Sequence, residues 1–305
     1  MAAATENKEN CPIQAFKDKT GQDAPVCTQC ISGSIHKGLP KGTIEKLHGL
    51  DTYVIGNRES PRGIIVMYTD IFGLSLPNNR LIADSYAQSG EWLVYVPDFF
   101  EGDHAPLKFA DVAIPVDAAK QSKLSFFTGL LMTAPSGISW LMRHKDGPTD
   151  KTCMDFLESL RRETLPTGKK IGMVGMCWGG RYSSRATLEK YMISVDDKRV
   201  PLVDAGVALH PSNMVLPDDA QNMVVPFSYG WGEKDTNTKI ELCGKVKELQ
   251  AEEAKAGRKV PEVEHKIYTP GRHGFAVRGN PDDPAEKKCL EDSVQQVLTW
   301  FDRWL

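Results

Sequence analysis

Long apolar stretches are missing from this sequence. The nearest approach to the roughly 18 consecutive apolar residues of a membrane span is Phe126-Phe127-Thr128-Gly129-Leu130-Leu131-Met132, so no membrane partner is expected. An excess of charge is missing too. With 37 basic residues against 40 acidic ones the net charge is -3, which provides no summed field to attract phosphate backbones, and no nucleic-acid partner is expected. Cysteine is scarce and odd in number, with seven residues in a chain too long to need stapling, so mostly free thiols and a reducing compartment are expected. The segment from Met1 to Lys8 lacks the apolar core of a secretory signal, and Arg303-Trp304-Leu305 is no peroxisomal tripeptide; the expected location is cytoplasmic.

What is present is a globular composition, 41% apolar and 25% charged over 305 residues, long enough to bury a sizeable core. Residues 1–42 are polar, rich in Gly, Pro, Lys and Ser and without a hydrophobic period, which reads as an N-terminal arm packed on the core. From residue 43 two β-prone runs, Thr43–His48 and Thr52–Ile55, predict a hairpin around Gly49-Leu50-Asp51. Strands then alternate with helices. Strands are expected at Gly63–Tyr68, Trp92–Val96, Lys170–Gly175, Leu202–Leu209, Val224–Gly230 and Val263–Tyr268. Helices are expected at Asn78–Gln88, Met154–Leu165, Arg181–Tyr191, Lys239–Gly257 and Ala285–Leu305. Strands that are continuously apolar are buried on both faces, which predicts a mostly parallel sheet covered by helices, in a single domain over 43–305. Residues 103–150 depart from the pattern: Pro106, Pro115, Pro135 and Pro148 punctuate an apolar middle, which reads as a cap, a lid or helices without clear bounds.

The chemistry concentrates in Gly175-Met176-Cys177-Trp178-Gly179, where a buried strand meets a helix through a turn with glycine two residues either side of a thiol. This has the form of a nucleophile elbow with Cys in place of Ser. Glycines there let strand and helix approach without a Cβ clash, and the helix N-terminus favours thiolate over thiol. The Trp178 N–H is placed to bind a developing oxyanion. Partners are expected on loops after later strands, in the order acid then base. Trp231-Gly232-Glu233-Lys234-Asp235-Thr236 offers Asp235, with Glu233 the nearest rival, and Thr269-Pro270-Gly271-Arg272-His273-Gly274-Phe275 offers His273. His210, in Leu209-His210-Pro211, also comes directly after a strand and is a candidate to line the same pocket, but it precedes the acid.

Five ordered motifs together resemble the dienelactone hydrolase family of α/β-hydrolases: Asp70-Ile71-Phe72-Gly73, Asn78-Asn79-Arg80-Leu81-Ile82-Ala83-Asp84, Val96-Pro97-Asp98-Phe99-Phe100-Glu101-Gly102-Asp103, the Cys177 turn, and His273-Gly274-Phe275. Cys30-Ile31-Ser32-Gly33-Ser34-Ile35-His36-Lys37-Gly38 and Glu45-Lys46-Leu47-His48-Gly49-Leu50-Asp51-Thr52-Tyr53-Val54 resemble its fungal branch in particular. The resemblance runs from about Cys27 to the C-terminus. It implies an α/β-hydrolase fold, a mostly parallel sheet of about eight strands with helices on both faces, and a Cys-His-Asp triad falling on Cys177, His273 and Asp235. It also implies a supporting acid near the thiol at Asp70, where the bacterial prototype has Glu, and a second oxyanion donor at the Ile71 N–H. Bacterial members bind a substrate carboxylate through arginines, one of them four residues after the triad histidine. Here Val277 holds that place, with Arg278 one residue later and Arg80 a second candidate for substrate binding.

These residues and motifs indicate a cofactor-independent hydrolase that cleaves a lactone, ester or thioester through a thioester intermediate. Peptides fit less well, because collapse of an amide-derived intermediate tends to expel sulfur rather than the amine. One alternative is a fungal secondary-metabolism hydrolase or cyclase acting on a polyketide lactone or thioester. Another, from a different class, is a non-catalytic relative that binds a ligand or partner and keeps Cys177 as a redox-sensitive thiol. Retention of thiol, acid and base in order favours the enzyme. Cys27 and Cys30 have C-x-x-C spacing, with Cys11 and His36 nearby, but a single such pair makes neither a metal site nor a redox pair, and surface or loop thiols are expected. Phe99-Phe100 and Phe126-Phe127 are core aromatics or walls of an acyl pocket. Oligomeric state, a homodimer among the options, stays open.

Overall fold

The computed structural model describes residues 38–305 apart from positions 108, 110, 111, 113, 114 and 116–121. Most of the N-terminal arm, with Cys11, Cys27, Cys30 and His36, lies outside the described residues. The chain begins with a hairpin, β1 (Thr43–Leu47) and β2 (Leu50–Gly56), turned at His48 and Gly49, which both adopt positive φ. There follow β3 (Gly63–Tyr68), α1 (Pro77–Ala87), β4 (Trp92–Pro97), α2 (Lys123–Arg143), α3 (Asp146–Thr164), β5 (Lys170–Met176) and α4 (Trp178–Arg185). A small hairpin, β6 (Ile193–Val195) and β7 (Lys198–Val200), precedes β8 (Ala205–Leu209), β9 (Phe227–Gly232), α5 (Glu241–Lys255), β10 (Val263–Tyr268), the one-turn α6 (Phe275–Arg278) and α7 (Pro284–Trp304).

Eight strands form one sheet in the order β1-β2-β4-β3-β5-β8-β9-β10. The β1–β2 and β2–β4 pairs are antiparallel, and every pair from β4 to β10 is parallel. This is the mostly parallel sheet of an α/β-hydrolase fold. Its centre is what the continuous apolar runs require: Ile65, Val66 and Met67 on β3 have no exposed surface, and each such side chain is worth about 1.5–3 kcal/mol of burial. The carboxyl ends of β3, β5, β8, β9 and β10 lie side by side, so the loops after them meet above one edge of the sheet.

Several boundaries differ from the periodicity. The helix expected at Arg181–Tyr191 starts three residues earlier, at Trp178, directly from the elbow, and stops at Arg185; a single 3-10 turn covers Glu189–Tyr191. The strand expected from Leu202 starts at Ala205, because the Leu202 carbonyl is taken by the Arg161 guanidinium instead of a neighbouring strand. The strand expected from Val224 starts at Phe227, just past Pro226, which has no N–H to offer a ladder, while the Val224 N–H bonds the Thr187 carbonyl.

Between residues 103 and 150 the prolines do not break the chain where expected. Pro135 sits inside α2 and Pro148 in the first turn of α3. The C-terminal end of α2 is clamped to Asp103: Arg143 donates to its carboxylate at 2.7 and 3.0 Å, His144 approaches it at 3.0 Å, and the Trp140 indole donates to its carbonyl at 2.6 Å. Elsewhere α2 leaves Leu124, Phe127, Leu131 and Met132 exposed. Among the described residues no helix is long and apolar enough to cross a membrane.

Candidate active site

Cys177 stands between β5 and α4 with φ 51° and ψ −111°, a conformation that non-glycine residues rarely adopt. Its N–H bonds the Leu209 carbonyl at 3.1 Å, and its carbonyl accepts from Gly180 at 3.1 Å and Ser212 at 2.9 Å, so neighbouring backbone holds the strained residue in place. The flanking glycines are dictated by contact. A Cβ on Gly175 would stand 2.1 Å from the Gly179 carbonyl oxygen, and one on Gly179 would stand 2.2 Å from that of Tyr68. The next glycine matters as well, because a Cβ on Gly180 would press Pro211 at 2.8 Å.

The loops after β9 and β10 bring Asp235 and His273 to this thiol. His273 Nε2 lies 3.2 Å from Cys177 Sγ, and Nδ1 lies 2.8 Å from Asp235 Oδ2. The other oxygen of Asp235 accepts the backbone N–H groups of Asn237 at 2.9 Å and Thr238 at 2.8 Å, which fixes the carboxylate plane. Asp235 is buried, whereas the rival Glu233 is exposed. Burial works against a charge on His273, but the Cys177 thiolate and the Asp235 carboxylate outweigh it, so its pKa is raised and the charged imidazolium is favoured.

A cavity of about 420 Å³ opens at the sulfur. Ile71 and Trp178 both line it, as do Asp70 and His210. The Asp70 carboxyl is buried; its Oδ1 accepts from Phe72 N–H and Asn79 Nδ2, both at 3.0 Å, and Oδ2 has no hydrogen-bond partner among the described residues. Burial pushes its pKa up to about 6, against the hydrogen bonds from Asn79 and Phe72 and the charges of Arg278 and His273. Two polar residues that no motif marks also stand at the thiol. Ser212 Oγ lies 3.5 Å from Sγ, and Asn237 Nδ2 lies 3.4 Å from His273 Nε2. Each falls two residues beyond a residue that the sequence does single out, His210 and Asp235.

Arg80 and Arg278 are not brought to the cavity wall. Arg80 is buried on α1, where its charge acts on Tyr53 and Asp84, and Arg278 is buried on α6, where its charge acts on Asp70. Among the described residues no lysine or arginine lines the cavity; its apolar walls are Ile71, Phe72, Phe109, Val112, Phe126, Leu141 and Trp178. Of the two aromatic pairs, Phe126 is a wall, whereas Phe99 and Phe100 pack beneath, with Phe100 against Trp140 and Trp178. Cys153, Cys243 and Cys289 are buried free thiols away from the site.

Comparison with known proteins shows the family and the fold. The model of the dienelactone hydrolase family matches residues 50–305. The chain is 30% identical over 282 residues to the hydrolase pyvD of Aspergillus violaceofuscus, covering 92% of this chain and 98% of that one. It is 26% identical over 287 residues to dienlactone hydrolase 1 of Gibberella moniliformis, covering 92% and 94%. The solved dienelactone hydrolase of Anabaena variabilis has a similar fold, with a TM-score of 0.52 at 14% identity over 88% of this chain and all of that one.

Proposed function

This chain belongs to the dienelactone hydrolase family and is an ester or lactone hydrolase, and from that premise we propose that Cys177, His273 and Asp235 carry the reaction through a thioester. The observation that supports this most is the unbroken line of contacts from sulfur to imidazole to carboxylate, 3.2 and 2.8 Å long. Sγ attacks the acyl carbonyl carbon, and the negative oxygen that forms is held by the N–H groups of Ile71 and Trp178. The bond to the leaving oxygen or sulfur breaks, and the leaving group takes its proton from the His273 imidazolium. Neutral His273 then removes a proton from water as that water attacks the thioester. The C–S bond breaks, the acid departs, and the thiolate faces the imidazolium again. Asp235 keeps Nδ1 protonated throughout, so Nε2 always faces the reacting atoms. Asp70, next to the thiol, is the supporting acid.

The apolar wall and the lack of a lining lysine or arginine among the described residues favour an uncharged lactone, ester or thioester over a substrate bearing a carboxylate. The same observation favours a polyketide-like acyl group, the chemistry of a tailoring hydrolase. The substrate is a small molecule, and α2, which contributes Phe126 and Leu141, is the lid over it. The test is hydrolysis of a carboxylate-bearing dienelactone, a neutral enol lactone, a p-nitrophenyl ester and an acyl thioester by wild type and Cys177→Ala. Turnover of the neutral members that disappears in the variant is the expected result. Turnover that survives the substitution overturns the thiol mechanism, and preference for the carboxylate-bearing lactone overturns the neutral-substrate reading. If none of the four is turned over, labelling of Cys177 by an alkylating probe separates the enzyme from a binding protein: a working pair labels fast, and more slowly in His273→Ala.

A further inference from the structure

Of the cavity's side chains His210 has the most unmet hydrogen-bonding capacity among the described residues: neither ring nitrogen has a partner, whereas Trp178 and Asp70 each leave one atom unpartnered. His210 is 1% exposed, it lines the cavity with Cys177, and both nitrogens lack a hydrogen-bond partner. Its ring is flanked by His273 and Phe275, both at 5.2 Å between centroids and close to edge-on, contacts that fix the imidazole without satisfying it. Leaving a buried donor or acceptor unpaired costs about 1–3 kcal/mol each.

That cost is not the result of a loose loop. The His210 N–H bonds the Gly230 carbonyl at 2.8 Å, the Ser212 N–H bonds the Cys177 carbonyl at 2.9 Å, and Thr238 Oγ1 donates to the Pro211 carbonyl at 2.8 Å. The bare Cα of Gly180 lets Pro211 close on the elbow. His210 itself takes a positive φ of 39°, so the segment is held tightly in a conformation the residue does not favour. A histidine kept this rigid beside His273, in the cavity that opens at the sulfur and with both nitrogens unused, is poised to meet a ligand.

We propose that His210 is a specificity-determining residue that hydrogen-bonds an uncharged oxygen substituent, a hydroxyl or a carbonyl, carried by the substrate close to the scissile bond. This rests on the Cys177 hydrolase reading and narrows its substrate class to hydroxy- or oxo-substituted acyl compounds. The ring is held neutral by burial and by the charge of neighbouring His273, which leaves one N–H to donate and one lone pair to accept. A hydroxyl satisfies either nitrogen and a carbonyl satisfies the donor. A carboxylate would share the cavity with Asp70 and find no lysine or arginine among the described residues of its wall, where the His273 imidazolium already faces Cys177 and Asp235.

The experiment compares p-nitrophenyl 3-hydroxybutyrate, p-nitrophenyl butyrate and the p-nitrophenyl monoester of succinate on wild type, His210→Phe, His210→Gln and Cys177→Ala. Wild type should favour the hydroxy ester over butyrate in kcat/KM by roughly 10- to 100-fold. In His210→Phe, which keeps the ring and loses both nitrogens, that ratio should fall towards one, and in His210→Gln, which keeps a donor and an acceptor, it should recover in part. Equal turnover of the two esters by wild type, a ratio unchanged in His210→Phe, or preference for the succinate monoester overturns the proposal. Because the readout is a ratio within each variant, a partly unfolded preparation does not mimic the effect, and the glutamine variant repeats the test should the phenylalanine variant fail to fold. Hydrolysis that persists in Cys177→Ala instead marks failure of the underlying thiol mechanism.

Discussion

Two buried polar clusters flank α4, and they are built on opposite terms. At its far end Asp219, with no exposed surface, accepts from Arg181 at 2.7 Å, from Arg185 at 2.6 Å and from the Val215 N–H at 2.7 Å; Arg185 also donates to Asp150, which accepts from the Tyr191 hydroxyl, both at 2.8 Å. Every charge there has its complement. At the near end, around Cys177, Asp70 keeps one carboxylate oxygen and His210 keeps two nitrogens unpaired among the described residues. The closed cluster is self-sufficient and anchors the helix. The open cluster stores unmet hydrogen-bonding capacity in a cavity, which is how a protein presents chemistry to a ligand rather than to itself.

The sharpest way to break this contrast is to remove the sulfur. Cys177→Ala should lower kcat by about 10⁴-fold while leaving the thermal midpoint where it is, as the proposed thiol mechanism requires; a large loss of midpoint would place Cys177 among the structural groups. Next in size is Asp219→Ala, which takes from Arg181 and Arg185 the buried carboxylate they share and should cost about 3–5 kcal/mol in urea unfolding. A cost under about 1 kcal/mol, the range of an exposed ion pair, would mean the closed cluster is not closed.

Asp70 gives the contrast a pH signature. In the folded chain it holds its proton up to about pH 6, whereas an unfolded aspartate releases it near pH 4. Folding therefore takes up a proton between these values, stability falls as pH rises through the window, and above it the folded chain carries the full cost of a buried charge. Asp70→Asn, which can still accept from Phe72 and Asn79, should raise stability by roughly 3 kcal/mol at pH 7.5, an advantage that fades towards pH 4. An advantage that is absent at pH 7.5, or that persists undiminished at pH 4, counts against it. The smallest effect belongs to the cavity wall: Phe126→Ala should raise KM for a long acyl ester by about 10-fold, with little change for an acetyl ester, as expected from about 1–2 kcal/mol of lost apolar contact. Equal changes for both esters would remove Phe126 from the acyl wall.

Much of the site is legible in the chain because its signals are local. Glycine spacing around Cys177 reports a clash between atoms a few residues apart, and Asp235 and His273 stand in the polar loops that come directly after buried strands. Helix α2 is not legible in the same way. Pro135 reads as a breaker, and only the anchoring of Trp140, Arg143 and His144 on Asp103 shows how the C-terminal end of that helix is held. Ser212 and Asn237 are hidden for a similar reason, since nothing in their own neighbourhoods marks them, and they matter only where loops from different strands meet.

By itself the sequence determined the alternation of strands and helices, the elbow with its thiol, and the order of acid and base, because burial on two faces and close backbone approach leave their mark on consecutive residues. Only the tertiary structure decided that Arg80 and Arg278 stay off the cavity wall, that His210 lines the cavity beside His273 with both nitrogens unused, and that α2 lines it with Phe126 and Leu141. Those outcomes depend on which groups satisfy one another across the fold, and a hydrogen bond or ion pair between distant residues has no periodicity to be read.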